Sequence, residues 1–432
     1  MSSATPGPDA GEQTPSAAPD SNPPGATPPA ATGTEPRDRG SVAHQILSSS
    51  WLLSLLALVV ALVVGAVLIA AADPRVQEAA GYFFARPGDL FAAVGQTVGG
   101  AYAALFQGAV FDANASTFTR AIRPLTETLT VATPLILAGL AVALAFRASL
   151  FNIGAQGQII LGATFAAWIG FTLQLPVGVH VLVAMVAGIV GGALWAGIPG
   201  VLRAKTGAHE VIVTIMLNYI ALYLVSYLLT TAAFQRPGSA NPISPMLEST
   251  ALYPRLLGSG FRLHMGFLVA LAAVAFVWWL LNRSTVGFRF RAVGYNAHAA
   301  RTAGINVEWS YILVMVIAGG LAGLAGTAQV MGTERVLTAG IAASFGFDAI
   351  TVALLGRSRP LGVLFAGLLF GALRAGGVTM QSRTGTPIDI VLVVQSVIVL
   401  LIAAPPLVRS IFRLPTPGQR RPATTTVKEA RA

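Results

Sequence analysis

The chain has 432 residues, of which 54% are hydrophobic and only 10% are charged, and its net charge is +10. Soluble domains carry about 25% charged residues, so this composition excludes an ordinary soluble domain and indicates an integral membrane protein. There is no cysteine, which excludes disulfides, thiolate metal sites and cysteine nucleophiles. The five histidines, at 44, 180, 209, 264 and 298, never fall at the i, i+4 spacing of a helical metal site, so no metal and no cofactor are expected. The basic residues lie between apolar runs, a pattern that orients a membrane protein rather than one that binds nucleic acid.

Residues 1–45 are rich in Pro, Ala, Thr, Ser and Gly. Such a segment cannot bury a core, so a disordered cytoplasmic tail is expected. It is too long and polar to lead a signal peptide. Residues 51–72 form an uncharged run of spanning length, the first span, stopped by Asp73 and Pro74. Residues 90–110 are amphipathic and rich in small residues, which fits an interfacial or packed helix better than a span.

Span 2 covers 125–146, with Glu127 and Pro134. Span 3 covers 158–173. Span 4 covers 177–202, where GIVGGALWAG allows close helix approach. Span 5 covers 211–233 and carries Asn218 and Tyr219. Residues 234–264 form a polar loop punctuated by Pro237, Pro242, Pro245 and Pro254. Span 6 covers 265–281 and span 7 covers 311–331. Spans 8 and 9, at 347–356 and 361–373, are too short to cross unaided and read as a broken or re-entrant pair buried in protein. Span 10 covers 388–408, and 415–432 is a basic cytoplasmic tail. The expected fold is all-α and polytopic, with about ten transmembrane helices, including broken or re-entrant segments, in one transmembrane domain over residues 46–414.

With the N-terminus inside, most of the 27 lysines and arginines fall on the inner side. Both termini and the 283–309 loop are then cytoplasmic, in a multi-pass plasma-membrane protein. That loop holds Arg283, Arg289, Arg291 and Arg301 against one acid, Glu308. Orientation alone accounts for the arginines but not for the short helix inside the loop. Asn296 is a good N-cap, residues 297–302 favour helix, and Gly304 can end it. The sharper reading is a docking helix on which a cytoplasmic partner pushes. Ala297, Ala299, Ala300 and Ala303 offer small surfaces for close approach, and His298 and Arg301 share one face.

Chemistry is sparse. No GxxxxGK[ST] phosphate loop is present, so the chain does not bind ATP in that manner. Glu127, Asp348 and Asp389 lie near predicted span ends, where snorkelling or capping explains them, and no cluster of acids suggests a proton relay. The FNIGAQGQ stretch is the most unusual. Asn152, Gln156 and Gln158 place three amides between apolar segments, and Gly154 and Gly157 permit irregular backbone. Such backbone is tolerated at membrane depth only against protein or a water-filled path. The stretch is either a solute pathway or a plain cytoplasmic turn. Asn218 and Gln395 could add groups to a pathway or simply bond between helices.

The segments LFNIGAQGQIILGA, STVGFRFRAVGYNAHAARTAGINV, AGGLAGLAG and FGFDAITVALLGRSRPLGVLFAGLLFGAL, in that order, resemble permease subunits of bacterial ABC importers. The branch is the one that carries simple sugars, branched-chain amino acids and nucleosides, and the first and last segments are most similar to nucleoside permeases. The resemblance covers residues of about 120 to 410. It implies a pair of permease subunits, a separate cytoplasmic ATPase, an extracytoplasmic solute-binding protein and a small polar solute. It also implies that the 296–304 helix is the coupling helix. A glutamate commonly stands in that family where Gln156 stands here, so a charge is missing. Against the importer stand an ion-coupled secondary transporter, which the shortage of intramembrane charge disfavours, and a non-transporting scaffold, which would not need the amide-rich break. A membrane enzyme would need a nucleophile–base or metal constellation, and none is visible.

Overall fold

The protein is described from a computed structural model over residues 50–412. The tails expected at 1–45 and 415–432 lie outside the described residues. Among the described residues the regular structure is helical, with two isolated antiparallel bridges, Ile243 to Thr338 and Arg255 to His264. The first helices are α1 (Ser50–Ala72), α2 (Pro74–Gly81), α3 (Pro87–Ala109), α4 (Phe118–Arg147) and α5 (Ala155–Thr172). They are followed by α6 (Val179–Thr206), α7 (Glu210–Leu228), α8 (Gly266–Arg283), α9 (Thr285–Tyr295) and α10 (Ala297–Thr302). The last are α11 (Val307–Thr327), α12 (Phe345–Leu355), α13 (Pro360–Thr384), α14 (Asp389–Ala403) and α15 (Pro405–Ile411).

Among the described residues, 7 helices are long and apolar enough to cross a membrane: α1, α4, α6, α7, α8, α11 and α13. The molecule is an all-α, multi-pass membrane protein. Every expected span coincides with a helix, but three are shorter or more polar than a crossing needs. α5 carries Gln156 and Gln158 in its first turn, α12 has 11 residues and α14 has 15.

Three boundaries depart from expectation. The break of spans 8 and 9 concerns α12 alone, because α13 runs 25 residues, through Arg374 to Thr384. Hydropathy stops at Arg374, but the helix continues because Asp348 neutralises that charge at 3.2 Å. Span 10 ends at Ala403, where Pro405 starts a new helix instead of extending the old one. Span 2 starts earlier, at Phe118, where the Thr117 hydroxyl caps the Arg120 amide. The segment at 90–110 is the helix α3. It packs on α1, where the Tyr102 hydroxyl donates to the Leu62 carbonyl, and on α4, where Thr128 Oγ1 donates to the Ala109 carbonyl at 2.7 Å.

α4 is the central helix. It is apolar all round, and every residue from 132 to 145 is buried. α5, α11, α12 and α13 pack around it. α5, α6 and α11 meet through glycines: a Cβ on Gly323 would lie 2.2 Å from the Gly188 carbonyl oxygen, so only glycine allows this approach.

The two ends of the bundle differ. At one end lie the α4 terminus, the Arg203–Glu210 pair at 3.4 Å, and the arm formed by α9 and α10. At the other, the loop after α7 folds over the π-turn Ala328–Glu334. Its amides reach that turn and the chain beyond: Tyr253 donates to Met331 at 3.1 Å, Leu247 to Arg335 at 3.0 Å and Ser244 to Leu337 at 3.1 Å.

Candidate functional site

The helix ends at Arg147, and Ser149 takes a left-handed conformation with φ of 55°. The chain stays non-helical to Gly154. Asn152 favours this break because its Oδ1 accepts from the Gly154 amide at 3.0 Å, a local bond that competes with helix. Asn152 and Gln158 then pair reciprocally, each donating to the other, at 3.1 and 3.0 Å. Asn218 of α7 accepts from the Gly157 amide at 2.8 Å and donates to the Ile153 carbonyl at 2.9 Å. All three amides are buried, so the irregular backbone is satisfied inside the protein. The structure thus brings Asn152, Gln158 and Asn218 together, with their polar atoms spent on one another and on the break.

Gln156 points elsewhere. Its Nε2 donates to the Ala343 carbonyl at 2.6 Å and its Oε1 accepts from the Gly346 amide at 2.9 Å. It clamps the entrance of α12 against the entrance of α5. Two helix N-termini therefore meet here, each with a partial positive charge. Gln395 is not part of this group. It is buried on α14 beside Val391, Val394 and Ile398, in a cluster that packs on α1 and α3.

Beside the clamp is a polar group of which sequence reasoning noted only Asp348, as a span-end acid, and missed Ser344 and Arg374. Ser344 Oγ donates to Asp348 Oδ2 at 2.8 Å. Arg374 donates to the same Asp348 oxygen and to Ser344 Oγ, both at 3.2 Å, and lies 4.5 Å over the Phe345 ring. The Asp348 and Arg374 side chains keep 24% and 32% of their surface exposed. Phe347, one position before Asp348 on α12, is 50% exposed. The signal that could have found the group was an arginine near the middle of an apolar helix, which is a functional candidate with a partner to be sought.

The arm has the predicted caps. Asn296 Oδ1 accepts from the Ala299 amide at 3.0 Å, and Gly304 has φ of +80°. α9, which the sequence reading left as loop, precedes it and is capped by Ser284 on the Gly287 amide at 2.9 Å. His298 and Arg301 are exposed, and Ala297 is half-buried. Ala300 is not available to a partner: it is 4% exposed and packs in the chain's own cluster with Val293 and Val307. The face left open is Tyr295, His298, Ala299, Arg301 and Thr302.

A family model described as the branched-chain amino acid transport system permease component matches residues 125–403. A guanosine ABC transporter permease protein of Bacillus subtilis is 41% identical over 286 residues, which is 64% of this chain and 80% of the relative. A glucose ABC transporter permease protein of Haloferax volcanii is 38% identical over 288 residues, 64% of this chain and 75% of the relative. A nucleoside ABC transporter permease protein of Lactococcus lactis is 35% identical over 290 residues, 65% of this chain and 79% of the relative. The match to the family runs through α4, the amide-held break, the arm and α12 to α13, and it takes in well over half of the sequence, so this chain belongs to the branched-chain amino acid transport system permease family.

Proposed function

We propose that this chain lines the solute path of an ABC importer that carries nucleosides. The observation that carries the reading is its 41% identity to a guanosine permease. The site beside the clamp fits that solute class. A nucleoside presents ring faces, hydroxyls and amide-like edges. Phe347 offers a stacking surface, and Ser344, Asp348 and Arg374 offer donors and acceptors.

The chain has no phosphate loop of its own. Hydrolysis therefore belongs to a separate cytoplasmic ATPase, which seats on the arm at Asn296, His298 and Arg301. Both termini and the arm are then cytoplasmic, and the loop after α7 faces outward, where a solute-binding protein delivers cargo to a pair of permease subunits.

The test is reconstitution of the permease with its ATPase and binding protein in liposomes, followed by uptake of labelled guanosine and glucose. ATP-dependent guanosine uptake is expected. ATP-driven uptake of glucose alone would overturn the nucleoside assignment and leave the importer standing. Failure of any ATPase to co-elute would overturn the importer itself.

A further inference from the structure

At the arm end of the bundle is a cavity of about 720 Å³. Arg147, Arg291, Arg357 and Arg359 line it, and no Asp or Glu does among the described residues. These arginines come from three places: the end of α4, the middle of α9 and the turn before α13. Bringing Arg147, Arg291 and Arg359 around one space is unfavourable unless an anion fills it. Arg147 is fixed in the wall, since its Nε donates to the Ser358 carbonyl at 2.9 Å. Arg291 and Arg359 are exposed and, among the described residues, have no carboxylate within ion-pair distance. The first turn of α13 adds its N-terminal amides, because Leu361 and Gly362 also line the cavity and Arg359 makes no side-chain cap there.

The other side of the cavity is apolar. Trp278 of α8 is 43% exposed and Leu361 of α13 is 55% exposed, and both helices are long and apolar enough to cross a membrane. A cationic hollow that opens beside exposed tryptophan and leucine at the ends of two spans matches a lipid, with its phosphate in the hollow and its chains along the helices. A soluble anion would use the arginines but leave the apolar flank without a role. We propose that this cavity binds the phosphate head group of an anionic phospholipid and so ties the arm, through Arg291, to the turn before α13, through Arg359.

The site can be tested on the purified full-length chain by native mass spectrometry with added phosphatidylglycerol or phosphatidylcholine. Phosphatidylglycerol should be retained and phosphatidylcholine lost. Arg291→Gln and Arg359→Gln should each weaken phosphatidylglycerol binding about fivefold, the loss expected for one arginine at an anionic surface. Among the described residues neither side chain makes a hydrogen bond or an ion pair, so folding should survive, and Arg291→Lys should restore part of the loss. Arg289→Gln is the control: it removes the same charge from the same helix but lies outside the cavity. Equal weakening by Arg289→Gln would overturn the site in favour of a diffuse surface charge. Retention of phosphatidylcholine as firmly as phosphatidylglycerol would overturn the role of the arginines. Displacement of phosphatidylglycerol by millimolar inorganic phosphate would overturn the lipid and make the occupant a soluble phosphate.

Discussion

Ser149 Oγ donates to the Gly294 carbonyl at 2.6 Å, joining the end of α4 to the end of α9. The same junction is closed from the other side, where a Cβ on Gly294 would lie 2.2 Å from the Arg147 carbonyl oxygen. Ser149 holds a left-handed conformation, which costs a non-glycine residue about 1–2 kcal/mol and which aims its hydroxyl at the arm. The arm therefore rests on the backbone that leads directly into the amide-held break. With the ATPase seated on the arm as proposed above, this contact would be a short physical route from the arm to the clamp.

Gly294→Ala tests the route. The added methyl cannot coexist with the Arg147 carbonyl, so α9 must shift, at a cost of about 1–3 kcal/mol. The protein should insert at normal levels while reconstituted ATP-driven uptake falls sharply. Ser149→Ala removes one hydrogen bond, about 1 kcal/mol, and should have a milder effect in the same direction. Full uptake by Gly294→Ala would mean that the contact holds the arm without transmitting its motion.

Gln156 is the next point on that route. Gln156→Leu removes both clamp bonds and leaves the Ala343 carbonyl and the Gly346 amide without their partner, at about 1–3 kcal/mol each if water does not replace it. The expected result is a lower melting temperature and loss of uptake. Gln156→Glu keeps an acceptor for the Gly346 amide but, when ionised, sets a carboxylate oxygen against the Ala343 carbonyl. It should fall between wild type and Gln156→Leu in melting temperature. A Gln156→Leu protein that melts and transports like wild type would exclude the clamp.

The spans were legible because hydrophobic runs of spanning length are local features, and so were the Asn296 cap and the Gly304 stop. α9 was not: two glycines, at 287 and 294, and two arginines, at 289 and 291, look like loop until Gly287 and Gly294 are seen pressed on the backbone of Leu280 and Arg147. Arg374 ended a predicted span because hydropathy counts its charge but cannot see Asp348, 26 positions away. The amides of the break were visible as unusual, but their roles were not. Asn218 satisfies Gly157 across 61 positions, and only the fold decides whether a buried amide faces a solute or another amide.

The proposed docking role of the exposed face can be tested apart from the arm's own core. Arg301→Asp and His298→Asp change exposed side chains, so the permease should fold and melt as wild type while the ATPase co-purifies less. Ala300→Asp places a charge in the cluster with Val293 and Val307, where an unpaired charge costs several kcal/mol or more. It should destabilise the arm even when no ATPase is present. Hydrogen exchange across residues 285–306 distinguishes the two effects. Full ATPase occupancy in both Arg301→Asp and His298→Asp would remove this face as the docking surface.

His264 makes the opposite end sensitive to acid. Its Nδ1 accepts from the Gly266 amide at 3.1 Å, at the start of α8, and its ring stacks on Tyr253 with centroids 5.8 Å apart. Its Nε2 is buried and has no hydrogen-bond partner. Burial, reinforced by the positive charge of Arg262, lowers its pKa from 6.5 to about 4. The unfolded chain therefore takes up a proton below pH 6.5 that the folded chain refuses until about pH 4. Stability from the neutral ring is complete above pH 6.5 and is lost as the pH falls towards 4, by a total on the order of 3 kcal/mol. Once protonated, Nδ1 can no longer accept from Gly266, so that amide at the start of α8 loses its acceptor. Melting in detergent between pH 7.5 and 4.5 should show this fall for the wild type. His264→Asn keeps a side-chain acceptor but cannot titrate, so its stability should start lower and change less with pH. Parallel pH profiles for the two proteins would show that another group carries the acid sensitivity.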